Sequence, residues 1–286
     1  MRKKIEMFDV GVYAVITLVC IIMLYPFLNV IAVAFSEYTE YLKNPLMIIP
    51  SGFTLSAFKF VLKEGQVLIS YGNTIYVTVL GVLIGLTLIT LMAYPLSRIH
   101  LKGRGVIMNI VIFSMMFSGG MIPNYYLIRS LGLIDSLWAV ILPGAFSAYN
   151  MILMKNFLEA LPDSLMEAAS IDGASEPCIL FRIALPLCKP ILATLCLFIA
   201  VQYWNSYFTA MLYIRDRAKW TLQLVLREIV LANVQNGNND PAQDNYVVSI
   251  SIKYASLLVV MLPIMLVYPF LQKYFVKGVM IGAVKG

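Results

Sequence analysis

Six long apolar stretches are the feature that most constrains what this chain can fold into. A membrane-spanning helix needs about 20 mostly apolar residues, because inside a bilayer each backbone N–H and C=O group must find its partner within the segment. The stretches of sufficient length occupy residues 11–35, 72–97, 106–128, 134–156, 189–213 and 254–275. We therefore predict an all-α integral membrane protein, with residues 1–286 forming a single transmembrane domain of six helices.

The composition excludes a soluble globular domain. Hydrophobic residues make up 60% of the 286 residues, and only 13% are charged. Soluble domains average about a quarter charged residues. Because so few charged side chains cannot cover the surface of a soluble domain of this size, the composition supports a helical bundle in lipid.

The first apolar stretch leaves two interpretations open. Arg2, Lys3 and Lys4 precede it, and Ala32-Val33-Ala34 resembles the small-residue cleavage site of a secretory signal peptide. The apolar core of such a peptide is about 7–15 residues long, which is shorter than the stretch at residues 11–35. We therefore favour a retained first transmembrane helix.

The third apolar stretch contains helix-breaking residues. Ser118-Gly119-Gly120 and Pro123 interrupt it. Glycine and proline are tolerated within a membrane where neighbouring helices or water satisfy the freed backbone groups. We predict a kinked or broken helix over residues 106–128.

Basic residues in the short loops predict the orientation of the chain. Cytoplasmic loops of membrane proteins carry an excess of lysine and arginine. With six spans, three basic groups fall on one side: Arg2, Lys3 and Lys4; Arg98, Lys102 and Arg104; Lys273, Lys277 and Lys285. Loop 36–71, on the other side, balances its lysines with glutamates. Both termini and residues 157–188 are therefore predicted to be cytoplasmic, although the basic outer loop 214–253 departs from the trend.

Residues 157–188 contain local signals for two short helices. Ser164 and Glu167 have the spacing of a capping box, and Gly173 can end the first helix in a left-handed conformation. Ser175-Glu176-Pro177 is typical of a second helix start. Leu185 precedes a proline and is therefore expected to leave helical geometry.

This segment resembles the cytoplasmic coupling loop of ATP-binding-cassette (ABC) importer permeases. The resemblance rests on its sequence pattern: Glu167-Ala168-Ala169, Asp172-Gly173-Ala174, Phe181, Ile183 and Leu185-Pro186. It implies that the helix pair docks in a groove of a separate ATPase, and it assigns coupling roles to Glu167, Ala168, Ala169, Asp172, Gly173, Phe181, Ile183 and Pro186. Glu167 would contact basic residues, Gly173 would form the turn, and Phe181 and Ile183 would pack in the joint. A purely local role for Glu167, as a capping residue, stays open.

Two further segments resemble the maltose-type carbohydrate permeases. These are the ending from Gln272 to Gly286 and the run Trp204-Asn205-Ser206-Tyr207, and the similarity extends over essentially the whole chain. The resemblance implies the type I ABC importer permease fold in the plasma (inner) membrane of a bacterium or archaeon. It also implies a second homologous permease, two copies of an ABC ATPase and an extracytoplasmic sugar-binding protein, with no nucleic acid partner. A permease for an amino acid, a peptide or glycerol phosphate is the alternative.

Polar residues in the apolar stretches are candidates for a substrate path. Gln202 and Asn205 lie three residues apart and so share one face of a helix. Polar side chains at membrane depth tend to face the bundle interior or a water-filled path. The alternatives are hydrogen bonds between helices, or interfacial anchoring for Trp204. Tyr149 and Asn150 are weaker candidates for the same path.

The outer loop 214–253 contains an oxygen-rich tract at residues 235–241. The tract lacks the spacing of a calcium-binding loop, so we expect a flexible connector there. The family resemblance implies that the loop can meet the binding protein.

The sequence lacks the chemistry of an enzyme. It has no Gly-x-x-x-x-Gly-Lys-Ser/Thr phosphate loop, so ATP and Mg are expected on the partner ATPase and no cofactor on this chain. His100 is the single histidine, and the carboxylates lie in loops or, like Asp135, at the edge of a stretch. The four cysteines lack metal-ligand spacing: Cys20, Cys178, Cys188 and Cys196. We expect no catalytic residue and no metal site, and we disfavour an intramembrane enzyme or an autonomous secondary transporter, which need ionisable groups within the spans.

Overall fold

The computed structural model describes residues 7–63, 65–235, 250–267 and 269. Within these residues the chain is helical, and the one pairing of β type is an isolated antiparallel bridge between Ser36 and Phe53. The α-helices of the described part are α1 (Met7–Ala34), α2 (Tyr38–Lys43), α3 (Ser56–Lys63), α4 (Gln66–Ser97), α5 (Arg104–Met116), α6 (Met121–Ser130), α7 (Trp138–Ile141), α8 (Ala148–Glu159), α9 (Asp163–Ile171), α10 (Glu176–Leu187), α11 (Lys189–Trp204), α12 (Phe208–Tyr213), α13 (Leu222–Gln235) and α14 (Ile250–Val267). The predicted all-α class is confirmed.

Three helices of the described part, α1, α4 and α14, are long and apolar enough to cross a membrane. Two bent pairs bring the number to as many as five if each pair is one span: α5 with α6, and α10 with α11. Length and composition alone support these assignments. The number of six spans, and the part of the sixth stretch beyond the described residues, stay predictions.

The third apolar stretch is broken where the sequence predicted. Helix α5 ends at Met116, α6 begins at Met121, and their axes differ by 111°. Gly120 precedes α6 with φ of +81°, a conformation that residues with a side chain rarely adopt. Pro123 lies in the first turn of α6, where its missing N–H needs no partner in the helix. The prediction of a broken helix is confirmed.

The fourth apolar stretch, by contrast, does not form the single helix that its length suggested. Helix α7 passes into a 3₁₀ turn at Leu142–Gly144, and α8 starts only at Ala148. Pro143 cannot donate an N–H bond and clashes with a continuing helix. Ser147 has extended backbone, and its Oγ accepts a hydrogen bond from the Asn150 N–H at 3.3 Å, which caps a new helix.

The described residues form two compact units, which lie within Met1–Val67 with Leu226–Leu262, and within Leu68–Val225 with Pro263–Gly286. In the first unit, Ala32, Val33 and Met47 form a small buried core. Asn29 secures the chain after α2 by donating to the carbonyl oxygens of Pro45 at 3.0 Å and Met47 at 2.9 Å. Ala32, Val33 and Ala34 are fully buried, and the retention of the first helix stays a prediction.

In the second unit, α4 packs closely on α11 through two glycines four residues apart. A Cβ atom on Gly81 would lie 2.2 Å from Cε2 of Tyr203, and one on Gly85 would lie 3.3 Å from Cδ1 of Ile199. Glycines at this spacing let helix backbones approach each other. The Tyr203 hydroxyl donates to the carbonyl oxygen of Ile141 at 2.7 Å, so the same residue also holds the broken fourth stretch.

Candidate functional site

The segment after α8 is anchored at its start by ion pairs. Glu159, the last residue of α8, is paired with Arg104 and with Lys155, the latter at 2.8 Å. Arg104 also donates to the carbonyl oxygen of Leu96 at 2.8 Å, beside the end of α4. The basic loop at residues 98–104 is therefore joined to the point where the candidate coupling loop begins.

The first helix of the loop, α9, starts two residues earlier than predicted. Pro162 is its N-cap and forms no side-chain cap, so Ser164 lies inside the helix. The predicted capping box between Ser164 and Glu167 is wrong, because a serine past the cap position no longer faces the free N–H groups. Asp163, the first helical residue, instead places a negative charge at the positive end of the helix dipole. Glu167 is exposed and has no capping role.

The turn that ends α9 depends on Gly173, as predicted. Gly173 has φ of +81°, its N–H donates to the Ser170 carbonyl at 3.0 Å, and the Ala174 N–H donates to the Ala169 carbonyl at 3.0 Å. These two bonds are the pair that defines a Schellman motif. No atom lies within 4 Å of the position that a Cβ on Gly173 would take. Backbone conformation, and not lack of space, therefore requires glycine.

The second helix of the loop, α10, is longer than predicted. It starts after Ser175 with Pro177 in its first turn, as expected, and it includes a π-helical turn at Ile179–Ala184. The expectation that Leu185 leaves helical geometry is wrong, since its φ and ψ are −62° and −42°. The wider π turn loosens the backbone just before Pro186, whose ring would clash with a regular α-helical turn. After Leu187 the chain bends by 83° into α11.

The predicted coupling residues divide into an exposed and a buried group. Six of them are exposed: Glu167, Ala168, Asp172, Gly173, Phe181 and Pro186. Ala169 is buried and Ile183 partly buried, and both pack in this chain's own core. From Asp163 to Gly173 the charged side chains are all acidic. The loop therefore presents a carboxylate-rich face around the glycine turn.

Ile171 is an apolar residue beside this turn that the sequence did not mark as a candidate. Its side chain is 86% exposed, and that of Phe181 is 59% exposed. A sequence pattern would assign an isoleucine on an amphipathic helix to the core, so no local signal marks it. Ile171 lies on α9, outside the candidate membrane-crossing helices, and an exposed apolar residue next to carboxylates there is typical of a protein–protein contact.

The candidate substrate-path residues separate into two places. Gln202 and Asn205 are both exposed, and their place on a substrate path stays a prediction, whereas Trp204 is buried with its ring centroid 6.2 Å from that of Tyr71. Gln223, which sequence analysis did not select, donates from Nε2 to Asn205 Oδ1 at 3.2 Å.

The two weaker path candidates differ in exposure. Tyr149 is 55% exposed, while the neighbouring Asn150 is buried. Both belong to α8, which packs against α11. The structure therefore leaves the Tyr149 side chain exposed on this chain and places Asn150 in the helix packing.

Asp135 joins two turns that precede α7 and α13. Its φ of +62° is rare for a residue with a side chain. Its Oδ1 accepts from the N–H groups of Arg215 and Asp216, each at 2.9 Å, and its Oδ2 accepts from Lys219 at 3.0 Å. The Asp216 N–H, then the Lys219 ammonium and the Arg215 N–H, lower the pKa of Asp135 to about 2. The carboxylate is therefore charged at physiological pH and holds the segment before α13.

Part of the outer loop and the chain ending lie outside the described residues. This applies to most of the oxygen-rich tract at residues 235–241 and to the segment from Gln272 to Gly286. In the part that the structure describes, the four cysteines are free, and no group of three or more His, Cys, Asp or Glu side chains could hold a metal ion.

Comparison with known proteins identifies relatives over nearly the full length. Residues 85–281, more than half of the chain, match the family described as binding-protein-dependent transport system inner membrane component. Protein LplC of Bacillus subtilis is 48% identical, covering 93% of this chain and 90% of that protein. The polygalacturonan/rhamnogalacturonan transport system permease protein YtcP of Bacillus subtilis is 42% identical, covering 99% and 100%.

A solved structure is also similar. It is the crystal structure of a bacterial ABC transporter involved in the import of the acidic polysaccharide alginate. The match has a TM-score of 0.86 and 32% sequence identity, and it covers 96% of this chain and 99% of the matched chain.

Proposed function

The chain belongs to the family of binding-protein-dependent transport system inner membrane components, and we propose that it is the permease subunit of an ATP-driven oligosaccharide importer. The observation that carries this proposal is the end-to-end similarity, at 42% identity, to a permease named for polygalacturonan and rhamnogalacturonan. This similarity favours a carbohydrate over an amino acid, a peptide or glycerol phosphate. The chain contributes a pathway through the membrane and no chemical step.

The proposed cargo is an acidic oligosaccharide, built at least partly from uronic acids. Two relatives that cover almost the whole chain are named for substrates of this kind, polygalacturonan in one and alginate in the other. The exposed amides of Gln202 and Asn205, and the partly buried amide of Gln223 that is bonded to Asn205, are suited to bind sugar hydroxyl groups, because an amide both donates and accepts hydrogen bonds. These three residues form the proposed contact of this chain with the cargo.

The proposed coupling surface consists of the exposed side chains around Gly173. Carboxylates of Glu167 and Asp172 would meet basic residues of an ABC ATPase, and Ile171 and Phe181 would fill apolar depressions in it. Ala169 and Ile183 would support this surface from the chain's own core. The proposed complex contains a second permease, two ATPase copies that hold ATP and Mg, and an extracytoplasmic binding protein. In it, both termini of this chain and the loop 157–188 are cytoplasmic.

Transport in this scheme is a shift between conformations. ATP-driven closure of the ATPase pair would favour one arrangement of the permease helices, because the ATPase contacts the loop differently in its two states.

Two substitutions at one position test the coupling surface. Gly173→Val and Gly173→Asn both add a side chain where space is free, but only asparagine readily adopts positive φ. In the reconstituted complex we expect Gly173→Val to abolish ATPase stimulation by the loaded binding protein, and Gly173→Asn to retain most of it. Equal stimulation in both variants, with normal assembly, would contradict the coupling role.

Transport into proteoliposomes tests the cargo. The complete complex and its cognate binding protein are offered an oligogalacturonide and, as a neutral control of similar length, a maltooligosaccharide. We expect ATP-dependent uptake of the acidic sugar alone, with matching binding of that sugar to the binding protein by calorimetry. Uptake confined to the neutral sugar would refute the acidic class of cargo. Uptake of neither sugar would count against the acidic class and against the oligosaccharide importer.

A further inference from the structure

Tyr94 connects the end of α4 to the start of α10. Its hydroxyl donates to Oε2 of Glu176 at 2.6 Å and accepts from Nη2 of Arg98 at 2.8 Å. The guanidinium carbon of Arg98 also lies 4.7 Å from the centroid of the Tyr94 ring. Because both partners of the hydroxyl are charged groups, each bond is of the stronger, charge-assisted kind.

The ring and the hydroxyl of Tyr94 have different roles. The side chain is only 7% exposed and belongs to the hydrophobic core of the second unit. The hydroxyl instead reaches a carboxylate on an exposed residue 82 positions away. Core packing needs the ring alone, and the same core includes Ile179 and Leu180 of α10, so the hydroxyl adds a polar link to the apolar contact between the two helices.

Glu176 is the first residue of α10, the second helix of the proposed coupling loop. Helix α10 continues through the 83° bend into α11. Helix α4 contacts α11 through Gly81 and Gly85, but its link to α10 through Tyr94 is polar and can break and re-form. A displacement of α10 thus reaches α11 through the chain itself and reaches α4 through the Tyr94–Glu176 bond.

We propose that Tyr94 is a positioning residue for energy coupling, whose hydroxyl makes α4 follow α10 when the ATPase moves the loop. This inference rests on the proposed function of residues 157–188. Arg98 fixes the hydroxyl in place: its guanidinium is the donor, which directs the hydroxyl proton towards Glu176. Without the hydroxyl, the loop can move while α4 stays behind, and ATP is hydrolysed without transport.

The test compares four single variants of the complete reconstituted complex, and a double variant that combines Tyr94→Phe with Glu176→Ala. Tyr94→Phe keeps the ring, its packing and its contact with Arg98 but removes the hydroxyl. Glu176→Ala removes the acceptor from an exposed position, whereas Glu176→Gln keeps an acceptor oxygen. Tyr76→Phe is the matched control, since Tyr76 is a 44% exposed tyrosine on the same helix. The measured quantity is sugar transported per ATP hydrolysed, together with the yield and thermal midpoint of the complex.

We expect Tyr94→Phe and Glu176→Ala each to lower transport per ATP roughly fivefold or more, the lower end of typical coupling between sites. The double variant should be no worse than either single one, because both remove the same bond. Tyr76→Phe should behave like the wild type, and Glu176→Gln, which keeps an acceptor oxygen but loses the charge, should lose less transport per ATP than Glu176→Ala. A wild-type ratio in Tyr94→Phe, or losses that multiply in the double variant, would overturn the proposal. So would a loss explained entirely by poor assembly of both single variants.

The Gly173 pair separates this inference from the proposed function. If Gly173→Val abolishes stimulation and Tyr94→Phe has a wild-type ratio, the loop couples but Tyr94 does not transmit. If Gly173→Val itself stays coupled, the role of the loop fails and the role of Tyr94 fails with it.

Discussion

The contact between Gly81 and Tyr203 permits the most specific test of the fold. In a Gly81→Ala variant the new Cβ would lie 2.2 Å from Cε2, 2.4 Å from Cδ2 and 2.6 Å from Cζ of the tyrosine ring. Carbon atoms in normal contact are about 3.5–4.0 Å apart. The ring or the whole helix α4 must therefore move by more than about 1 Å.

The surroundings of Tyr203 prevent the ring from moving freely. The side chain is 2% exposed, its hydroxyl is bonded to the Ile141 carbonyl, and Gly144 lies close to that hydroxyl. Overpacking a core costs about 1–3 kcal/mol. Loss of the hydroxyl bond leaves a buried polar group unsatisfied and costs about 1–3 kcal/mol more. We expect Gly81→Ala to lower the free energy of unfolding by about 2–6 kcal/mol.

The assay is the thermal midpoint of the detergent-solubilised complex, followed by size-exclusion chromatography. A fall of at least about 4 °C is expected, since about 1 kcal/mol moves the midpoint of a domain this size by roughly 2–4 °C. Gly72→Ala on the same helix is the control, because its Cβ would meet no atom within 4 Å and alanine is the better helix former. Its midpoint should stay level or rise.

A second substitution tests the cause of the loss. In the Gly81→Ala background, Tyr203→Ala should cost less stability than it does alone, because the ring that clashes is gone. A wild-type midpoint in Gly81→Ala, or strictly additive effects of the two substitutions, would refute the close packing of α4 on α11.

Three further predictions concern the path, the Asp135 turn and the break in the fourth stretch. Asn205→Leu removes the bond with Gln223, and we expect a raised KM for sugar uptake at unchanged complex yield. Wild-type kinetics for each sugar tested would mean that Asn205 and Gln223 have a structural role and do not contact the cargo. The pKa of Asp135 is lowered to about 2 from 3.8 for the unperturbed group. The bonds of the charged carboxylate therefore stabilise the folded protein fully above about pH 4, and this stabilisation is lost as pH falls through about 2. The difference in midpoint between wild type and Asp135→Asn should therefore be constant from neutral pH to about pH 5 and shrink below about pH 4, and a difference that peaks in acid would contradict this. Ser147→Ala removes the cap of α8 and should cost about 0.5–2 kcal/mol, less than Gly81→Ala, in the same thermal assay.

Local chemistry was read correctly from the sequence wherever the backbone had few choices. Gly120 and Gly173 both adopt positive φ at the positions where the sequence predicted a break and a turn. The long apolar stretches at the start of the chain and before residue 98 form uninterrupted helices, α1 and α4. In each case the deciding interaction lies within a few residues of the position itself.

Errors arose where two local preferences compete. Ser164 is a good cap, but Pro162 with Asp163 starts the helix earlier. Leu185 stays helical because a π turn before it accommodates the proline. Pro143 interrupts a stretch whose hydropathy alone predicted one helix. Sequence reasoning had no means to rank these neighbouring signals, because packing against other helices decides between them.

The sequence by itself determined that the chain is a helical membrane protein, and its loop pattern identified the family to which it belongs. Both follow from properties that act along the chain: the length of apolar runs needed to cross a bilayer, and the spacing of residues in one loop. Only the tertiary structure decided that Ile171 faces outward while Ala169 packs inward, and that Tyr203 fills the space beside Gly81. It alone brought Tyr94 to Glu176 across 82 residues. The physical reason is that burial and hydrogen bonding depend on which surfaces meet, and residues far apart in sequence supply those surfaces.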